Sequence, residues 1–247
     1  MRKEIKYLSL LLGAALLLGG LNYLLHLEPS STGSTNATGC TASQLQGKQD
    51  LMSSPYFASP DVYNLQSNDH LTILSHFKTR QQSTGYTCAP VAAAMVVEHF
   101  LGRLPHSEEE IATIMQSNRV NGTTIKGVAN YFNQLGWQVH SSNDSTTPAD
   151  FPGFQQFVQE QLRENSPIII ENVEWGGHYR VIIGYDTMGT SYVGDDVLIL
   201  ADSFDLADHV QDGYNIENAQ KLYYMWFDAQ LFSRSEQKNP WLIAKPQ

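Results

Sequence analysis

A cysteine at the start of an apolar helix is the residue whose setting suits chemistry best in this 247-residue sequence. Cys88 closes the segment Gln82-Ser-Thr-Gly-Tyr-Thr-Cys88 and is followed by Ala-Pro and a run of alanine, methionine and valine. Proline is tolerated in a first helical turn, where its missing N–H costs nothing, so Cys88 lies at or just before a helix N-terminus. Unpaired N–H groups and the positive end of the helix dipole gather there. They favour an anion and raise the thiolate fraction of a thiol, which suits attack on a carbonyl carbon.

The residues able to assist such a thiol lie in the second half of the chain. His178 stands in Trp175-Gly-Gly-His-Tyr179 at the mouth of one expected strand, and Asp202 closes the next, Leu198-Ile-Leu-Ala-Asp-Ser203. If the two strands are antiparallel neighbours, the start of one lies beside the end of the other. Asp202 then holds one ring nitrogen of His178 while the other nitrogen is free for the thiol. A Cys/His pair oriented by a third polar group both activates the nucleophile and protonates the leaving group. His99 shares the helix of Cys88 but lies roughly 16 Å along it, beyond hydrogen-bond reach. His70, His76, His106, His140 and His209 lie in polar or loop-like segments with no matching acid at a strand end, and read as surface or locally satisfied residues.

Plainer readings stand beside these. Cys88 can pair with Cys40, the other cysteine of the chain, or be an inert core thiol. Asp202, Asp205, Asp208 and Asp212-Gly213 do not match the spacing of a helix-loop-helix calcium site and read as a solvated acidic loop. Trp175, Tyr223, Tyr224 and Trp226 could line a cleft, but read mostly as core.

The composition, 42% hydrophobic and 16% charged, supports one sizeable domain with accessories. A net charge of -10 argues against a nucleic-acid partner, which needs a basic face. Arg2, Lys3 and Lys6 precede an apolar segment from Tyr7 to Leu27, and about 20 such residues suffice to span a bilayer. The charges place that end in the cytoplasm. Because no small-x-small site follows closely, residues 1–27 are expected to be an uncleaved membrane anchor that leaves the domain extracytoplasmic; cleavage would make the protein secreted. Ala37-Thr-Gly-Cys40 is only a faint match to a lipoprotein cleavage site. Residues 28–55 read as a flexible polar linker, 56–235 as the folded domain and 236–247 as a C-terminal tail.

Within the domain, Leu71–Leu74 reads as a strand, and the helix from Cys88 to Leu101 ends at Gly102. Ser107-Glu-Glu-Glu110 is a capping box that opens a second helix. Two further helical patterns follow, through Val128 and Phe132 and through Phe154, Val158 and Leu162, with a strand at Trp137–His140 between them. Pro167–Ile170, Tyr179–Tyr185 and Val197–Ala201 read as strands, and Ala219–Leu231 as helical or irregular. Helices first and strands after argue for an α+β fold with a mostly antiparallel sheet.

Gln82 six positions before Cys88, small residues after the cysteine, the Gly-His-Tyr of His178 and the strand ending at Asp202 together resemble a papain-like (clan CA) cysteine peptidase. The nearer likeness is to the bacteriocin leader peptidases, which cut after double-glycine leaders, and it covers about residues 70 to 230. The resemblance implies a papain-like fold: a helical half with a central nucleophile helix, packed on a C-terminal antiparallel sheet. It implies a thiolate at Cys88, a general acid/base at His178, an orienting Asp202 and a thioester intermediate. Gln82 would donate to the oxyanion with the Cys88 N–H, a type of contact worth about 10²–10³ in rate. A peptide or protein is the implied substrate, and no cofactor or metal is implied. Leader peptidases usually carry an acidic residue and then Cys-Gly where this chain has Thr87-Cys88-Ala89, and the segment Asp186–Asp196 is longer than their compact pattern. Two other classes use the same residues: an acyl-enzyme transpeptidase, like the phytochelatin synthases of the broad fold, and a catalytically silent peptide-binding module.

Overall fold

The computed structural model describes residues 50–51, 53–228, 233–234 and 237–247. The expected anchor at 1–27, the linker as far as residue 49 and Cys40 lie outside the described residues. Among the described residues no helix is long and apolar enough to cross a membrane.

Helix α1, Cys88–Leu101, is buried continuously from Cys88 to Glu98, which is why its sequence is apolar on every side. It ends at Gly102, whose left-handed φ of 66° lets its N–H reach the Glu98 carbonyl at 2.8 Å. Helices α2 (Glu108–Met115), α3 (Ile125–Gln134) and α4 (Phe151–Arg163) follow. Each starts on a side-chain cap: Ser107 with its capping box, Thr124 and Asp150. A short helix α5, Ala219–Met225, is capped by Asn218.

Among the described residues seven strands form one antiparallel sheet: β1 (Leu71–Ile73), β2 (Gln138–Ser141), β3 (Ile168–Asn172), β4 (His178–Asp186), β5 (Val197–Asp202), β6 (Tyr214–Asn218) and β7 (Trp241–Lys245). Their order is β2-β7-β3-β4-β5-β6, with β1 also pairing β4. β3, β4 and β5 are buried almost throughout, so they read as continuous apolar runs rather than as alternation. α1 packs on β4 and β5, and α4 packs on β1 and β4. A register shift between Ile182 and Gly184 bends β4 where β1 takes over from β3 as its neighbour. A Cβ at Gly184 would stand 3.1 Å from the Ile199 side chain, so any larger residue there would push on Ile199 and Ile73.

Several expectations are corrected. The supposed tail contains β7, which sits between β2 and β3 and buries Trp241, Leu242, Ile243 and Ala244. Its short apolar run lies one strand in from the β2 edge. β6 was not expected, because Tyr-Asn-Ile-Glu-Asn mixes polar and apolar residues as a half-exposed edge strand does. Helix α5 stops at Met225, ahead of a buried Trp226; residues 229–231 of the expected segment lie outside the described residues. Trp226 and Tyr223 pack on Phe154 as core, but Trp175 and Tyr224 are exposed. The acidic loop is not simply solvated. Asp205 is fully buried and accepts from Ala207 N and Gly213 N, while Asp208 and Asp212 accept from Val210 N and Tyr214 N. These carboxylates close turns, and burial pushes Asp205 up to about 7. His70 does have an acid at a strand end, Asp186 at 2.7 Å, in an exposed pair.

Candidate active site

The site is assembled where three pieces of backbone meet: the start of α1, the start of β4 and the end of β5. Cys88 is the first residue of α1, buried, and a free thiol. Its helix differs from the other four in having no side-chain cap among the described residues. Thr87 turns its hydroxyl back to the Thr84 carbonyl and hydroxyl, at 3.1 and 2.9 Å. The N–H groups at the start of α1 are thereby kept from a capping oxygen and remain available to a developing anion.

His178 is the first residue of β4, and the register sets Arg180 opposite Asp202. Start and end of neighbouring strands therefore coincide, and His178 Nε2 meets Asp202 Oδ1 at 2.7 Å in a buried contact. With Nε2 so engaged, Nδ1 is the nitrogen left for Cys88, whose thiol is close enough to act on the ring. Burial alone would pull the imidazole down, but the Asp202 charge and hydrogen bond, aided by Cys88, hold it up at about 10. Burial acts on Asp202 in the opposite sense to its neighbours; the His178 and Arg180 charges and the Phe204 N–H win, and its carboxyl lies below the usual range. The two shifts agree on one charge state, imidazolium against carboxylate.

Gln82 is brought to the same place by a strap. Its backbone N–H donates to the Ser203 carbonyl at 2.9 Å, its Oε1 accepts from Ser203 Oγ at 2.8 Å, and Gln81 Nε2 donates to the Asp202 carbonyl at 3.0 Å. Upstream, Arg80 Nε pairs with Glu98 of α1 at 2.6 Å. The segment before the nucleophile is thus tied to the end of β5 on one side and to α1 on the other. Gln82 Nε2 donates one hydrogen to the Thr84 carbonyl at 2.7 Å and has a second to give. His99 is elsewhere, stacked on Phe77 and bonded to Asn165. Among the described residues no three His, Cys, Asp or Glu side chains gather as a metal site.

Sequence reading missed the polar support behind the pair. Arg180 is completely buried; its Nη2 meets Glu217 Oε1 at 2.9 Å and its Nη1 meets Glu174 Oε2 at 3.2 Å. With its amide oriented to satisfy its neighbours, Asn172 accepts from Arg180 Nη2 at 2.8 Å and donates to the His178 carbonyl at 3.2 Å. Glu171, next to it on β3, is buried beside Cys88, His178 and Asp228, and neither of its oxygens has a hydrogen-bond partner among the described residues. The available signal was a charge inside an apolar strand, Ile-Ile-Ile-Glu171 and Tyr-Arg180-Val-Ile, since charges are seldom buried without a partner or a task.

A buried thiol at an uncapped helix start, facing an imidazole held by a carboxylate at the end of an antiparallel sheet, defines the class of papain-like cysteine peptidases. The model of the Peptidase_C39 like family matches residues 74–230, well over half of the chain, and the chain belongs to that family. Similar solved structures include the peptidase domain of Streptococcus ComA, a bi-functional ABC transporter involved in a quorum-sensing pathway. It is 19% identical with a TM-score of 0.47, over 70% of this chain and 100% of that one. A double glycine motif protease from an AMS/PCAT transporter, solved with its leader peptide, is 14% identical with a TM-score of 0.43, over 68% of this chain and 91% of its own. The peptidase domain of Streptococcus mutans ComA is 15% identical with a TM-score of 0.38, over 67% and 97%. No curated protein matches the chain.

Proposed function

We propose that this peptidase cleaves a peptide bond through a thioester on Cys88, with His178 as general acid/base, Asp202 as its orienting carboxylate and Gln82 as an oxyanion donor. The observation that carries the reading is the buried 2.7 Å contact of His178 with Asp202, with the Cys88 thiol close enough to help raise the same imidazole. With the proton of the Cys88 thiol already on His178 Nδ1, the sulfur attacks the carbonyl carbon. The oxygen of the tetrahedral adduct accepts from the Cys88 N–H and from Gln82 Nε2. The imidazolium gives its proton to the departing nitrogen, the C–N bond breaks, and the amine leaves a thioester behind. Water then attacks the thioester, returning a proton to Nδ1; the C–S bond breaks, the carboxyl product leaves and the Cys88–His178 ion pair is restored.

Alkylation by iodoacetamide at mildly acidic pH tests the charge pairing directly. An ordinary thiol with a pKa near 8.5 reacts slowly there, and an ion-paired one reacts fast. Fast labelling of Cys88, slowed in Asp202→Asn, together with loss of turnover in Cys88→Ala, is the expected result. Undiminished turnover in purified Cys88→Ala protein would sink the assignment. The relatives that act on leaders use the double-glycine motif, and a peptide of that kind is the first substrate to try. The apolar segment from Tyr7 to Leu27 with its basic flank supports a membrane tether with the domain outside the cytoplasm. Protease accessibility of the domain in intact cells, against a cytoplasmic control, checks that location.

A further inference from the structure

A cavity of about 440 Å³ opens beside the pair, with Asp202 itself in its wall. Its mouth is unusual. Trp175 is 69% exposed, an uncommon state for so large an apolar ring. It is held there by a left-handed backbone, φ 55°, followed by Gly176 and Gly177, also at positive φ, immediately ahead of His178. A non-glycine residue in that region is strained, and such strain collects at ligand clamps. The Trp175 ring stands edge-on to Phe204 at 5.7 Å, and Phe204 in turn stands edge-on to the His178 ring at 6.5 Å. Leu206 and Ile216, 40% and 44% exposed, continue the apolar wall.

The polar lining decides what fits. Glu174 and Glu217 face the cavity, but both are engaged by Arg180, and Lys221 lies 3.5 Å from Glu217. Those charges are answered within the protein, so the cavity does not ask for a cation. Beside these polar groups and Asn215, what it offers a ligand is the surface of Trp175, Phe204, Leu206, Ala207 and Ile216. A volume within the usual range of ligand pockets holds a large side chain together with some backbone.

The chemistry fixes the direction. His178 protonates the leaving nitrogen, so the leaving half of a substrate passes over the imidazole, and beyond it come Phe204 and Trp175. An extended peptide advances roughly 3.3 Å per residue. Resting on the reading of Cys88, His178 and Asp202 given above, we propose that this cavity is the subsite for a large apolar side chain about two to four residues beyond the scissile bond on the leaving-group side.

Digestion of a proteome-derived peptide library by the full chain, with both sides of each cut read by mass spectrometry, tests it. Leu, Ile, Met or Phe should be enriched at the second to fourth positions after the cut. Trp175→Gly, which permits the same backbone and removes the ring, should lower cleavage of those peptides by about tenfold and leave the preferences before the cut intact. No enrichment, the same enrichment in the variant, or equal loss on both sides of the cut would overturn the proposal. Retention of the same library by Cys88→Ala protein, compared with Cys88→Ala/Trp175→Gly, reads the cavity without turnover. Retention of apolar peptides that fails in the double variant supports the subsite. The same retention by wild-type protein that cuts nothing refutes the peptidase chemistry, and with it the placement on a leaving-group side.

Discussion

Replacing Glu171 by glutamine tests whether the carboxyl beside Cys88 is neutral in the folded protein. Burial, and then the neighbouring Asp228 and Cys88, push Glu171 up to about 9, against a weaker opposite pull from His178. A group raised on folding contributes stability that is complete below its unfolded value, near 4.5, and is lost as pH rises through the folded value. Between those limits the unfolded chain has released its proton and the folded chain has not. Each pH unit in that window then costs the wild type about 1.4 kcal/mol, or roughly 3 kcal/mol between pH 5.5 and 7.5. Glutamine keeps the size and the neutral polarity but cannot titrate. The stability of Glu171→Gln relative to wild type should therefore climb by about that amount across the window, measured by urea denaturation of both chains at the same pH values. Groups that titrate alike in both proteins cancel from the difference. A gap that stays constant with pH, or that moves in favour of the wild type, would mean that Glu171 is ionised when folded, and the reasoning fails.

Gln82→Ala should lower kcat by about 10²–10³ with little change in KM, because the amide meets the oxyanion only in the transition state. Ser203→Ala, which frees the Gln82 Oε1 contact at 2.8 Å, should show a smaller loss of the same kind in steady-state kinetics. Arg180→Met leaves Glu217 and Glu174 without their shared cation and should destabilise the fold by about 3–5 kcal/mol in denaturant titration. Adding Glu217→Gln should recover part of that loss.

How much of the fold was legible follows from how each element buries its residues. α1 announced itself because a helix surrounded on all sides must be apolar throughout, and Pro90 marked its first turn. The capping box at Ser107 was readable because two donors and two acceptors satisfy one another within four residues. β6 and β7 escaped for opposite reasons. β6 is an edge strand whose half-exposed residues carry no clear alternation, and β7 is a buried run only five residues long near the chain end. Its place between β2 and β3 is set by long-range pairing, which local pattern does not encode.

The candidate site divides along the same line. Cys88, His178 and Asp202 were legible because each sits at the end of an element, where turn chemistry and strand polarity leave a local mark, and antiparallel adjacency is enough to join them. Arg180 and Glu171 lie inside strands, and their meaning depends on which side chains the sheet brings opposite them. For Arg180 the answer is Asp202 across one strand pair, with Glu217 and Glu174 at its two arms, so that one buried cation is shared among three acids. That sharing explains why the His178–Asp202 pair keeps its charges while buried. A carboxylate there without Arg180 would face the full desolvation cost with only the imidazolium and the Phe204 N–H to offset it. The charge inside β4 is therefore part of the means by which a histidine at its first residue stays protonated beside a thiol.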